Sequence, residues 1–308
     1  MENKELLLSI CIPTNGVVEW VAPVIESIYA QGVDNALFEV VITDNGVKDD
    51  LQEAVKKLNY PNLNYSRNNS KGFTNQIDAF EKCQGVFCKM LNHRSKMLPG
   101  SISAVLDIVR KYQDRKPILY FAEGLAKGGE YIECTNTDAF IKSLGVWSSW
   151  SSGTGCWRED LLDIRNKEID TYFPHTVFLF GLRRESEYVI WNGKYTLMAD
   201  DAGKGGYDLF QTFSVGYLDL INKLRIEKRI SQDTFLRVKA DLFEFLKLQY
   251  LVEVVLPTKH KIIIGNIKNS LKVYYSTYHY YIMAIEAYLK APYYYISLKL
   301  DGKGATNK

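Results

Sequence analysis

Residues 6–16 read LLLSICIPTNG. Leu6 to Pro13 (LLLSICIP) is a short apolar run rich in strand formers, the pattern of a strand covered on both faces, as in parallel sheets. Thr14 to Gly16 is a loop, and beyond it Val21, Val24, Ile25, Ile28 and Tyr29 recur at helical spacing. Pro23 is expected in the first turn of that helix, where its missing N–H costs little, and Gly32 ends it.

The same alternation continues outward. Phe38 to Thr43 (FEVVIT) reads as a second buried strand closed by the turn Asp44-Asn45-Gly46, and Asp49 to Leu58 as a polar helix. Asn62 to Ser66 is a third strand, Thr74 to Lys82 a helix, and Val86 to Leu91 a fourth strand. Pro99 opens a helix with Ile102, Val105, Leu106 and Val109 on one face, and Pro117 to Ala122 (PILYFA) is a fifth strand. Strands alternating with helices predict an α/β fold with an open, mostly parallel sheet and helices on both faces. From Gly124 the alternation weakens. Ser148 to Gly155 is loop chemistry, Thr171 to Leu182 an apolar helix, Tyr188 to Ala199 a strand pair, and Gly203 to Tyr207, with Lys204, a mobile loop or equally a plain surface turn.

The 308 residues suit one large α/β domain with a smaller helical extension, and 46% hydrophobic content excludes a disordered chain. The net charge is +2, but residues 221–308 hold 15 Lys/Arg against 7 Asp/Glu, leaving −6 for the rest. The expected division is 1–215, with halves 1–120 and 121–215, followed by a basic, Tyr-rich helical extension at 216–308. Five cysteines without a C-x-x-C pair read as reduced, buried thiols rather than metal ligands or disulfides. Met1 to Pro13 lacks the form of a signal peptide, and no apolar run is long enough to span a bilayer, so cytoplasmic residence is the expectation.

In open α/β sheets, ligands bind beyond the carboxyl ends of the strands where strand order reverses. Pro13-Thr14-Asn15, Asp44-Asn45 and Asn92-His93-Arg94 fall at such ends. Each alone is ordinary turn chemistry; three in register point to a site.

Here the chain resembles the family 2 glycosyltransferases. Ser9 to Asn15 resembles the family's first strand, S-[IV]-x-[IV]-P-T-[YF]-N, with the aromatic residue missing. Glu26 to Gln31 is similar to its S-[IL]-x-x-Q helix end, and Phe38 to Gly46 to its second strand with the acidic turn, Asp49 or Asp50 fitting the trailing acidic position. Asn69 to Asn75 resembles N-x-G-x-x-x-N, and Leu98 to Ser101 the x-P-G-[AS] segment. The resemblance implies a GT-A fold, a nucleotide-diphospho-sugar transferase with a Rossmann-like open mixed sheet. It implies an inverting hexosyltransferase-like enzyme with a UDP-linked donor by default. The implied acceptor is a glycan or lipid-linked chain in bacterial capsule, O-antigen or wall polysaccharide synthesis.

The donor-binding residues expected are Pro13, Thr14, Asn15, Asp44, Asn45, Gly72, Asn75, Asn92 and His93. Asp44 would accept from a uracil N3–H, Asn45 offers donor and acceptor, and Gly72 lets backbone approach a ligand, though it reads equally as a plain helix-start turn. The family's Asp-x-Asp, which holds Mg²⁺ or Mn²⁺ against the donor diphosphate, is replaced by Leu91-Asn92-His93-Arg94-Ser95, with no carboxylate between Glu81 and Asp107. Three readings stay open: Arg94 replaces the metal, a metal is held through other residues, or the site only binds. Ser152 to Leu161 resembles the segment preceding the family's E-D base motif, and about fifteen residues later stands Phe173-Pro174-His175-Thr176. His175 is the first candidate base, with a histidine that merely packs the helix as the alternative; Asp170 follows, then Asp200 or Asp201. Trp150 and Trp157 are candidate acceptor platforms, with core packing as the alternative.

Residues 221–300 carry ten of the 21 tyrosines. A peripheral hold on the inner membrane leaflet is expected there equally with a helical oligomer interface or packed subdomain, and no nucleic-acid motif accompanies the charge. A catalytically silent sugar-nucleotide-binding or scaffold protein is the alternative function. A sugar-1-phosphate nucleotidyltransferase is disfavoured because Pro13 to Gly16 lacks G-x-G-[ST]-R.

Overall fold

A computed structural model describes residues 5–162, 164, 168–183, 186–198, 205–256 and 260–300, the side chains of 297–300 excepted. Asp200, Asp201, Gly203 and Lys204 lie outside the described residues. The chain divides into two compact units, Met1–Ala199 and Asp200–Lys308, a boundary earlier than the 215/216 expected from composition.

In the first unit the elements run β1 (Leu8–Thr14), α1 (Val18–Tyr29), β2 (Phe38–Asp44), α2 (Asp50–Leu58), β3 (Leu63–Arg67), α3 (Asn75–Glu81), β4 (Phe87–Met90), β5 (Ser95–Met97) and α4 (Ser101–Tyr112). They continue with β6 (Ile118–Phe121), β7 (Tyr131–Cys134), α5 (Thr137–Leu144), β8 (Gly155–Trp157), α6 (Pro174–Gly181), β9 (Tyr188–Trp191) and β10 (Thr196–Met198). The main sheet has the order β3-β2-β1-β4-β8, parallel except for β8 against β4. Alternation along β1 explains how it is covered: Ile10 and Ile12 enter a core with Val21, Val24 and Ile25 of α1 and Ile102, Val105 and Val109 of α4. Cys11 points the other way, its sulfur 3.2 Å from that of Cys83 beyond α3. On that side Phe80 of α3 meets Phe178 of α6 with centroids 5.1 Å apart. Each such aliphatic side chain removed from water contributes about 1.5–3 kcal/mol. All five cysteines are buried and free.

Three expectations about elements are corrected. The fifth strand, β6, belongs to a separate sheet of order β6-β9-β7. The strand pair at 188–199 is no hairpin, because β9 joins β6 and β7 while β10 pairs with β5. Pro23 sits well inside α1 rather than in its first turn. The turn before it still closes, with Trp20 and Val21 N–H both donating to Val17 O.

The second unit opens with β11 (Gly205–Asp208), so Gly205 to Tyr207 form a strand rather than a mobile loop. α7 (Leu209–Gln211) runs through a π-helical stretch, Thr212–Tyr217, into α8 (Leu218–Ile226). Then come α9 (Gln232–Tyr250), β12 (Lys261–Ile263), α10 (Ile267–Lys272) and α11 (Thr277–Leu300). β11 pairs in parallel with β12, and α7 packs on α10, which explains why the boundary precedes 215. The helical extension breaks between α8 and α9, where Lys228 is left-handed (φ 60°) and the Ser231 side chain caps α9 by accepting from Thr234 N–H.

Candidate functional site

The chain lays β1, β2 and β3 side by side in one direction and then crosses back to place β4 on the other flank of β1. Strand order therefore reverses between β1 and β4, and the crevice rule locates the site at their carboxyl ends. Thr14, Asp44 and Arg67 are aligned in register there. The loop Asn92–Arg94 follows β4 directly.

This edge is built largely by side-chain amides. Asn75, 2% exposed at the start of α3, donates through Nδ2 to Thr14 O (3.0 Å) and Thr43 O (2.8 Å), while its Oδ1 accepts from Asn68 (2.6 Å). The amide thus binds both central strand ends and leaves no polar atom for a ligand. Asn45 donates to the carbonyls of Ser70 (2.9 Å) and Gly72 (3.0 Å), tying the β2 turn to the turn before α3. Gly72 is left-handed (φ 54°) with open space where a Cβ would stand, so the turn and no close approach requires glycine there.

Asp44 is enclosed by its own turn and by β3. It is 0% exposed, its oxygens accept from Gly46 N–H and Tyr65 O–H, each at 2.7 Å, and Gly16 is packed so closely that a Cβ would lie 2.9 Å from Oδ1. Burial and that bond to Asp44 push the Tyr65 phenol upward, so it stays a donor. In this arrangement the carboxylate shapes the turn. Asn15 is exposed beside it, and Pro13 is half-buried. Asn15 borders a cavity of about 740 Å³ whose lining includes Gly16, Val47, Lys48 and Asp50.

Hydrogen bonds hold the backbone of the loop after β4. Asn92 Oδ1 accepts from Arg94 N–H (2.9 Å), and Asn92 N–H donates to Ser152 Oγ (3.1 Å). His93 Nδ1 lies 2.9 Å from Thr14 Oγ1, so the two strand ends that flank the crevice touch. Burial, and then the charge of Arg94, lower the His93 imidazole to about 4, so it is neutral near pH 7. The Arg94 guanidinium lies over the Trp20 ring at 3.5 Å and is 7% exposed. Trp20 also meets the His93 ring edge-on, with centroids 5.4 Å apart. One indole from α1 therefore positions both side chains. Trp20 escaped the sequence reading; its signal was an aromatic residue one turn into the helix that follows Pro13-Thr14-Asn15.

Two further residues were missed. Lys89, a lysine inside the apolar run of β4, is 3% exposed. Its Nζ donates to Met90 O (3.1 Å), Ser152 O (2.7 Å) and Tyr195 Oη (2.9 Å), and lies 4.4 Å from the ring centroids of Phe121 and Tyr195. Burial lowers it to about 7, against the opposing pull of Glu123. Ser152 is the other: its carbonyl takes Lys89 and its hydroxyl takes Asn92 N–H, joining the segment 151–154 to the loop after β4.

The candidate bases separate. His175 is 4% exposed, with Nδ1 2.8 Å from the Gln76 side chain and Nε2 2.7 Å from Ser149 O. A carbonyl only accepts, so Nε2 carries the proton, and Nδ1 receives the Gln76 amide once that amide is turned over. Burial lowers the ring to about 4. With both nitrogens engaged, His175 joins the start of α6 to α3 through Gln76. Asp170 is half-buried, and its Oδ1 accepts from Tyr172 and Phe173 N–H, both at 2.7 Å, forming the turn into α6. Trp157 is no platform: it is 1% exposed, and its indole N–H donates to Pro117 O (2.7 Å) within the core. Trp150 is half-buried, and its carbonyl accepts from Tyr120 O–H (3.0 Å).

A divalent cation does not fit the loop after β4. Its side chains are an amide, an imidazole and a guanidinium, and the last would repel the ion. Among the described residues no group of three or more His, Cys, Asp or Glu is arranged to hold a metal.

A parallel sheet with this strand order, this antiparallel flanking strand and this polar edge defines the GT-A class of glycosyltransferase folds. Residues 9–114, a third of the chain, match the family model described as Glycosyl transferase family 2. No curated protein sequence matches. Among solved structures, S. aureus TarS 1-349 is similar at a TM-score of 0.57 and 14% identity, over 80% of this chain and 75% of that one. The same fragment in complex with UDP-GlcNAc gives 0.56 and 14%, over 79% and 72%. Mannosyltransferase PcManGT from Pyrobaculum calidifontis, in complex with GDP-Man and Mn2+, gives 0.50 and 13%, over 93% and 81%. At these identities the likeness is one of fold.

Proposed function

We propose that the protein transfers a sugar, with inversion, from a nucleotide-sugar donor, UDP-linked by default, to a glycan or lipid-linked acceptor in bacterial surface polysaccharide synthesis. The observation that carries the reading is the Arg94–Trp20 stack standing where the family carries metal-binding carboxylates. A guanidinium is the side chain whose planar fork matches phosphate oxygens with two parallel bonds.

In this reading the nucleoside lies along the edge that Asn15 and Val47 border, and the diphosphate meets Arg94, with His93 Nε2–H as a second donor. The acceptor oxygen bonds to the anomeric carbon as the carbon–oxygen bond to the diphosphate breaks. The nucleoside diphosphate leaves with the bonding pair, and Arg94 offsets its growing charge. The acceptor proton passes to a carboxylate, and Asp170 takes that role in place of the enclosed His175. No step runs through a metal.

Supporting a non-catalytic alternative is the burial of both Asp44 and His175, which leaves few titratable groups facing a ligand. Hydrolysis of UDP-, GDP-, CDP- and dTDP-sugars with and without EDTA separates the readings. Turnover that survives chelation and is lost in Arg94→Ala supports the enzyme. Donor binding without turnover supports a binding protein. Residence on the cytoplasmic side of a bacterial membrane belongs to the same proposal; among the described residues no helix is long and apolar enough to cross a bilayer.

A further inference from the structure

α11 carries two apolar faces. Met283 and Ala287 are 0% and 2% exposed, and with Tyr280, whose ring lies 6.4 Å from that of Tyr250, they pack this helix on α9. Tyr278, Tyr281, Ile285, Tyr288 and Leu289 follow the three-and-four spacing of the opposite face, and Tyr293 continues it. They are between 49% and 78% exposed. An exposed stripe of this length, with this many large apolar side chains, marks an interaction surface.

Its chemistry selects the occupant. Between Thr277 and Leu300 the sole acidic residue is Glu286, which is held by Lys247 (3.1 Å) and Lys290 (3.2 Å). The stripe itself is free of acidic groups. Lys268 of α10 borders it, with Nζ 2.9 Å from Tyr281 Oη, and Lys272 is exposed on the same short helix. Tyrosines on the stripe place a greasy ring beside a wetted hydroxyl, the pairing favoured at a bilayer interface. A second copy of this surface brings lysines of the same sign to the contact, whereas an anionic headgroup layer complements them. We propose that the exposed face of α11, with Lys268 and Lys272 at its border, docks on a lipid surface bearing anionic headgroups. The inference is independent of the donor chemistry proposed above.

The test is flotation of the full chain with vesicles of phosphatidylcholine alone or mixed with phosphatidylglycerol, at low and high salt. The wild type is expected to float with the anionic vesicles, less so at high salt. Tyr288→Glu/Leu289→Glu should reduce binding at least about tenfold, the scale of losing one buried apolar side chain. Leu236→Glu, on an exposed position of α9, should leave it unchanged, with matching circular dichroism and melting showing that every variant folds. Lys268→Glu/Lys272→Glu should weaken binding to the anionic vesicles. Absence of flotation, or equal flotation of the Tyr288/Leu289 variant, overturns the proposal. So does a sedimentation profile in which the wild type is a dimer that this variant makes monomeric, because the occupant would then be a second copy.

Discussion

The ammonium of Lys89 donates to the carbonyl of Ser152 across 2.7 Å, and the hydroxyl of the same serine accepts from Asn92 N–H. A charge in the middle of β4 thereby fixes the loop that carries Arg94. Lys89 is lowered to about 7 by burial, below its unfolded value near 10.4. Between those values the unfolded chain binds more protons than the folded one, so this group makes stability rise with pH from about 7 to about 10. Urea midpoints at neutral and alkaline pH should show that rise in the wild type, and Lys89→Met should flatten it. An unchanged slope in the variant would remove Lys89 as its source.

His175 gives a second pH signature. Its ring is lowered to about 4 from the usual 6.5, so the unfolded state binds the extra proton between those values. Its contribution is complete above about 6.5, declines as pH falls, and levels off below about 4. His175→Gln should remove that acid-side decline. Turnover should fall by less than about tenfold; a loss of 10²–10⁴, the range for removing a general base, would return His175 to that role.

Arg94→Ala should lower kcat by about 10²–10³, the range for losing one preorganised donor to developing charge. Arg94→Lys should recover little, because an ammonium neither stacks on Trp20 nor bonds in two places. Trp20→Ala keeps the guanidinium but removes its platform, so donor KM should rise about tenfold. Steady-state kinetics with varied donor checks all three.

Asn75→Ala strips a donor from two buried carbonyls, those of Thr14 and Thr43, and should cost about 2 kcal/mol or more in denaturant unfolding. Trp157→Ala, by contrast, should cost about 3–5 kcal/mol as a core truncation. An acceptor effect for Trp157 without loss of stability would contradict its placement in the core.

The first four strands and their helices were legible because buried parallel strands write continuous apolar runs, and Leu6 to Pro13 and Phe38 to Thr43 are of that kind. The crevice position followed from the order of elements. Partners of side chains were not legible, since they depend on which strands become neighbours. Asp44, an exposed-looking turn carboxylate in sequence, is sealed by Tyr65, and that contact exists only because β3 lies beside β2. His175 reads as a catalytic histidine until Gln76 and Ser149, from distant segments, close on it. Trp157 stands just past the loop-like stretch 148–155, where the chain forms strand β8 and turns the indole inward. The separate sheet of β6, β9 and β7 was hidden because pairing across such sequence distances leaves no local periodicity.

The single amide of Asn75 has one further consequence. By spanning two strand termini with hydrogen bonds already formed, it makes the floor of the crevice a finished template before any ligand arrives. In the function proposed above, discrimination among donors would then fall to groups outside that lattice, such as the exposed Asn15 and Val47.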